Sequence, residues 1–125
     1  ADCDREGLTY LCEIMPIECE RYPDAAAPEA IASACRAGQE IGGHAIKTTM
    51  PNPPSAMPSA AACGVPVILA GGAVAGDRAQ LFKDVKTAME GGAAGVAFGR
   101  NVWGAPDPAA TVKSLVEIVH AKGRA

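Results

Sequence analysis

Apolar residues gather in four short runs along the chain, at residues 8–15, 44–49, 65–70 and 95–99. Each run is bounded by glycine or proline and is too short for a helix, so each reads as a β-strand. The runs are nearly continuously apolar rather than alternating, which predicts parallel strands covered on both faces. Helical spacing appears between and after them. Residues 27–41 open with Pro28 near the first helical position and set Ile31, Ala34, Cys35 and Gly38 on one face. Residues 77–90 carry Leu81, Phe82, Val85, Ala88 and Met89 on one side and stop at Gly91-Gly92. Asp107-Pro108 supplies a capping residue and then a proline for a last helix, whose apolar stripe is Val112, Leu115, Val116 and Val119. The stretch after the second strand holds Pro51, Pro53 and Pro54, which leaves room only for a short helix around residues 59–63.

Strand and helix thus alternate four times, which predicts an α/β fold with a parallel sheet and right-handed crossovers. The third and fourth units echo each other: Gly64-Val65-Pro66-Val67-Ile68-Leu69-Ala70-Gly71-Gly72 parallels Gly92-Ala93-Ala94-Gly95-Val96-Ala97-Phe98-Gly99-Arg100. At 125 residues the chain has the size of one domain. A complete (β/α)8 barrel needs about 250 residues. Residues 1–125 are therefore expected to form a parallel (βα)4 half of such a barrel.

Composition narrows the partners. Hydrophobic residues make up 49% and charged residues 20%, a globular balance; aromatics are only 4%, and the abundance of glycine and alanine suits close packing of helices on a sheet. A net charge of −3 without a long basic run points away from nucleic acid and from an anionic membrane, and leaves a small anion as a local ligand. The opening Ala1-Asp2-Cys3-Asp4 lacks the features of a signal peptide. The longest apolar stretch, 65–76, is interrupted by Gly71-Gly72 and falls short of the roughly 18 residues a membrane span needs. Cys3, Cys12, Cys19, Cys35 and Cys63 are odd in number and contain no CxxC, so neither a disulfide framework nor a zinc knuckle is expected. They read as buried apolar filler in a protein of the reducing cytoplasm.

The chemistry lies where strands end. Glycines at the C-terminal end of a strand let backbone N–H groups approach an anion without a Cβ in the way. Gly71-Gly72 and Gly99-Arg100-Asn101 end consecutive strands and predict a two-sided phosphate cradle, with Arg100 adding a charged contact. Lys47 sits inside the apolar strand Ala45-Ile46-Lys47-Thr48-Thr49. A lysine there is costly unless it is paired or deprotonated, and desolvation and a nearby cation both lower an amine's pKa, which makes it nucleophilic near neutral pH. Period-2 alternation puts Leu11, Glu13 and Met15 on one face, which would bring Glu13 to the same cavity as a general acid/base or leave it as an ion-paired carboxylate. His44 is placed at the strand entrance or on the helix-facing side, His120 in solvent, and Trp103 and Tyr22 in packing or loops.

These motifs, Ala45-Ile46-Lys47-Thr48, then Val65 to Gly72, then Gly95-Val96-Ala97-Phe98-Gly99-Arg100-Asn101-Val102-Trp103, together resemble the archaeal-type class I fructose-bisphosphate aldolase family, which also includes tagatose-bisphosphate aldolase and a thiolase acting on a phosphorylated signal. The resemblance runs from about Gly7 to His120 and implies strands five to eight of a TIM barrel. It puts Lys47 on the Schiff-base lysine and Ala70, Gly71, Gly72, Gly99 and Arg100 on the phosphate loops. At the end of the first strand here, the archaeal enzymes carry a tryptophan and a proton-transferring tyrosine; this chain has Glu13 and Met15. Glu13-Ile14-Met15 resembles instead the tagatose-bisphosphate aldolase strand end, where a glutamate is thought to transfer the proton. The resemblance implies metal-independent cleavage and formation of a C–C bond in a phosphorylated ketose such as fructose 1,6-bisphosphate, with no cofactor, as in glycolysis. Thiolytic acyl transfer on a phosphorylated diketone, and a phosphate-binding half barrel without turnover, stand as alternatives. The expected partners are a sugar phosphate and either a second copy of the chain or an N-terminal half carrying strands one to four.

Overall fold

The computed structural model describes residues 2–121. Its strands are β1 (Leu11–Glu13), β2 (Ala45–Thr49), β3 (Val67–Ala70) and β4 (Gly95–Ala97). Its helices are α1 (Asp2–Arg5), α2 (Pro28–Glu40), α3 (Met57–Ala61), α4 (Arg78–Glu90), α5 (Arg100–Trp103) and α6 (Pro108–Val119), with a 3-10 turn, Pro54–Ala56, leading into α3. The strands form one sheet in the order β1-β2-β3-β4, and every pair is parallel. Consecutive order with right-handed crossovers sends every long helix to the same side.

Burial shows that side. Cys12, Ile46, Val67 and Leu69 point into a core with Ile31 and Cys35 of α2, Met57 and Ala60 of α3, Val85 and Ala88 of α4, and Leu115 of α6. The alternate strand residues, Leu11, Glu13, Ala45, Lys47, Ile68 and Ala70, stay wholly or partly accessible on the opposite face. The expectation of strands covered on both faces is thus corrected. Helices cover one face; the other is the concave face that a closed barrel would turn inward. The near-continuous apolar runs are explained by that geometry, because a barrel interior also demands apolar side chains.

Three further readings change. Val112 and Val116 are exposed on α6, and the buried stripe runs instead through Thr111 and Leu115 with Ile118 and Val119 partly covered. The short helix after β2 begins earlier than expected, because Pro54 and Pro58 sit in first turns, where proline's missing N–H costs nothing. The cysteines are not uniformly filler: Cys12 and Cys35 are buried, Cys3 and Cys63 partly so, and Cys19 is exposed in the loop after β1.

Candidate active site

Parallel register builds the site in layers. Glu13 lies beside Lys47, Lys47 beside Ile68, and Ile68 beside Gly95, so these four form one row across the concave face. The next row toward the C-terminal ends contains Thr49, Ala70 and Ala97. A two-residue step along a strand is about 6.6 Å. The loops that follow Ala70 and Ala97 therefore stand directly above the Lys47 row.

Lys47 Nζ meets Glu13 Oε1 at 2.8 Å, with side-chain exposures of 25% and 54%. The structure thus turns Glu13 to the face that carries Lys47, and the carboxylate's partner is the lysine itself. Above them the Thr49 hydroxyl donates to Met15 Sδ at 3.2 Å, so Met15 occupies the strand end without a titratable group.

The strand-end loops meet at the same rim. Three of their glycines have two different causes. A Cβ at Gly71 would come within 2.8 Å of the Phe98 ring, a Cβ at Gly99 would run into the Trp103 ring, and Gly72 takes φ +61° with open space around it. Gly71 is thus held to glycine by the ring and backbone of Phe98, an origin beside anion access, whereas the exposed Trp103 ring lies over Gly99 and would have to move for a side chain there. Gly72 is needed for its backbone conformation. Arg100 is exposed at the start of α5, and Trp103, 72% exposed, lays its ring against Gly99.

Asn101 belongs to the Gly99-Arg100-Asn101 motif, but the sequence gives it no role of its own. It is buried at 2% exposure, and its amide bonds Gly71, Ala73 and Ala75, thirty residues back in the β3–α4 loop. A buried polar residue directly after a strand-end Gly-Arg was the available signal. Its backbone carbonyl accepts from Arg78, which also reaches Gly104 O and Thr111 Oγ1.

The remaining candidates lie elsewhere. His44 is at the strand entrance, as expected, with Nδ1 accepting from the Tyr10 N–H and Nε2 2.9 Å from Asp4. Tyr22 is in the β1–α2 loop, its hydroxyl 2.8 Å from Ser33 Oγ, and His120 is exposed at the end of α6. A cavity of about 490 Å³ lies between α4 and α6, lined by Lys86, Met89, Glu117 and Ile118. It is on the helical side of the sheet and has no connection to the Lys47 face, which is open rather than enclosed. Among the described residues no helix is long and apolar enough to cross a membrane.

Comparison with known proteins matches residues 1–105 to the DeoC/LacD family aldolase model. Over 122 residues the chain is 35% identical to 2-amino-4,5-dihydroxy-6-oxo-7-(phosphonooxy)heptanoate synthase of Streptomyces griseus, covering 97% of this chain and 44% of that protein. It is 36% identical over 118 residues to 2-amino-3,7-dideoxy-D-threo-hept-6-ulosonate synthase 1 of Archaeoglobus fulgidus, covering 94% and 43%. Among solved structures, an archaeal fructose-1,6-bisphosphate aldolase with its catalytic lysine bound to the substrate's carbinolamine superposes with a TM-score of 0.87 at 30% identity, covering 95% of this chain and 48% of that one. The chain spans less than half the length of the relatives it matches, and its four-stranded sheet corresponds to half of their barrel.

Proposed function

This chain belongs to the DeoC/LacD family of aldolases, and on that premise we propose that it forms part of a class I, Schiff-base aldolase acting on a phosphorylated ketose such as fructose 1,6-bisphosphate. One observation carries the reading: Lys47 stands on the open concave face, 2.8 Å from Glu13 and one row beneath two glycine-ended loops. An amine must lose its proton to attack a carbonyl, and a carboxylate at hydrogen-bond distance accepts it. Lys47 then adds to the ketone carbon, and the carbinolamine hydroxyl takes the proton back from Glu13 and leaves as water, giving an iminium and restoring the carboxylate. The bond between C3 and C4 breaks as Glu13 takes the C4 hydroxyl proton. The electron pair moves into the iminium, leaving an enamine on Lys47 and releasing an aldehyde. Protonation and hydrolysis of the enamine return the free lysine.

Phosphate binding follows from the loops. The N–H groups after Ala70 and about Gly71, Gly72 and Gly99, with the Arg100 guanidinium, hold the phosphate so that the neighbouring ketone falls over Lys47. Such positioning offsets up to about 7–11 kcal/mol of a bimolecular barrier. The names of the similar proteins support it: one product is a 6-oxo, 7-phosphonooxy acid and one substrate a bisphosphate of a ketose, which share a ketone beside a phosphorylated carbon. The five free cysteines suit a reducing cytoplasm.

Borohydride reduction in the presence of fructose 1,6-bisphosphate, on the catalytically competent assembly, tests the reading. The expected result is a mass adduct mapped to Lys47 and absent from Lys47→Arg. Because the iminium is the electron sink, EDTA should leave turnover unchanged. Turnover without any lysine adduct would sink the proposal.

A further inference from the structure

We propose that Asn101 is a positioning residue that aims the backbone N–H groups of the first phosphate loop; the inference rests on the phosphate-binding reading above. The loop at residues 71–76 makes no backbone–backbone hydrogen bond within itself. Its shape is imposed from outside. Asn101 Nδ2 donates to Gly71 O at 2.7 Å and to Ala73 O at 2.9 Å, and Asn101 Oδ1 accepts from the Ala75 N–H at 2.7 Å. That uses three of the four hydrogen bonds a carboxamide can make.

The consequence comes from peptide planarity. In a trans peptide the carbonyl of one residue points opposite to the N–H of the next. Drawing the Gly71 and Ala73 carbonyls toward Asn101 turns the N–H groups of Gly72 and Val74 away from it. Neither N–H has a protein acceptor among the described residues. Gly72 at φ +61° lets the chain reverse between the two anchored carbonyls. The amide comes from the first turn of α5, directly after Gly99, so it also sets the spacing between the two sides of the cradle. Arg78 holds α5 in turn, bonding Asn101 O and Gly104 O, each at 3.3 Å. Asn101 touches no reacting atom; it acts through the loop it holds.

The test uses Asn101→Ala and Asn101→Asp. The aspartate is isosteric, keeps the acceptor for the Ala75 N–H and removes both donors, so it decides the matter where the alanine variant does not fold. Steady-state kinetics on the competent assembly compare a ketose phosphate with its unphosphorylated ketose. KM for the phosphorylated substrate should rise by about tenfold or more. Its kcat should fall less, and kcat/KM for the unphosphorylated ketose should stay within about twofold. Equal losses on both substrates, or an unchanged KM, would overturn the proposal. Hydrogen exchange separates its failure from that of the phosphate reading. Ala75 amide protection should drop in Asn101→Ala whatever the ligand, and retained protection contradicts the staple. A wild-type protein that does not discriminate for phosphate and does not bind inorganic phosphate removes the phosphate reading, and the positioning role with it.

Discussion

A lysine ammonium and a carboxylate 2.8 Å apart on an open sheet face hold each other weakly. With more than half of Glu13 exposed, the pair contributes about 0–1 kcal/mol to stability. Glu13→Gln should therefore leave the unfolding midpoint nearly unchanged. It should lower aldol turnover by about 10²–10⁴-fold, the range lost with a general acid/base. Trapping of a ketone on Lys47 should persist, only slower, because the nucleophile remains; loss of folding instead of turnover would reassign Glu13 to structure. The thiols allow a second check. Burial pushes the Cys35 thiol from near 9 up to about 12, with the nearby Cys63 adding to it, whereas Cys19 is exposed. A raised value keeps the neutral thiol as the native form, and the stability it lends is lost only as pH climbs from about 9 toward 12. Iodoacetamide at pH 8 should label Cys19 first and Cys35 only after denaturation, as mass mapping would show; rapid native labelling of Cys35 would contradict its burial. Lys47 and Glu13 were legible because a charge in an apolar run and a two-residue period are visible in the letters. Asn101 was not, because it answers to carbonyl directions in a loop thirty residues away, and no residue type encodes those.

Helix starts carry local chemistry that letters do record. Asp77 accepts from the Gln80 N–H and Asp107 from the Ala110 N–H, each at 3.0 Å, satisfying donors that α4 and α6 cannot satisfy internally. Alanine at either position should cost about 1 kcal/mol in denaturant unfolding. The losses should add in the double variant, since the caps serve separate helices; a cost near zero for both would mean the helices are held by packing alone. Asp107-Pro108 and the Gly91-Gly92 stop were readable for this reason. The face that α6 buries was less so. Leu115 is buried as its stripe predicts, but Val112 and Val116 fit that stripe as well as Thr111 does, and only the approach of α4 and α5 chooses Thr111. The four-residue α5 escaped notice because its single turn has no apolar period; it is tied down by the buried Asn101 and by Arg78.

A four-stranded sheet with helices on one side leaves its concave face and two edges without partners. β1 and β4 each pair on one side only, and Leu11, Met15 and Ile17 are exposed about the β1 edge, with Val112 and Val116 exposed on α6. Unpaired edges and contiguous apolar surface favour association. The similar proteins are about twice this length, so the same surfaces there have further chain to meet. The 125-residue chain by itself should consequently associate. Light scattering at micromolar concentration should give at least twice 12.6 kDa. Leu11→Lys, which charges the concave face at an accessible position, should shift the mass toward one chain while circular dichroism stays unchanged. It should also weaken lysine trapping in any assembly that forms through that face, because Lys47 shares the surface. A single-chain mass for the unaltered sequence would show that the half barrel closes its face some other way. An oligomer indifferent to Leu11→Lys would move the interface to the exposed valines of α6.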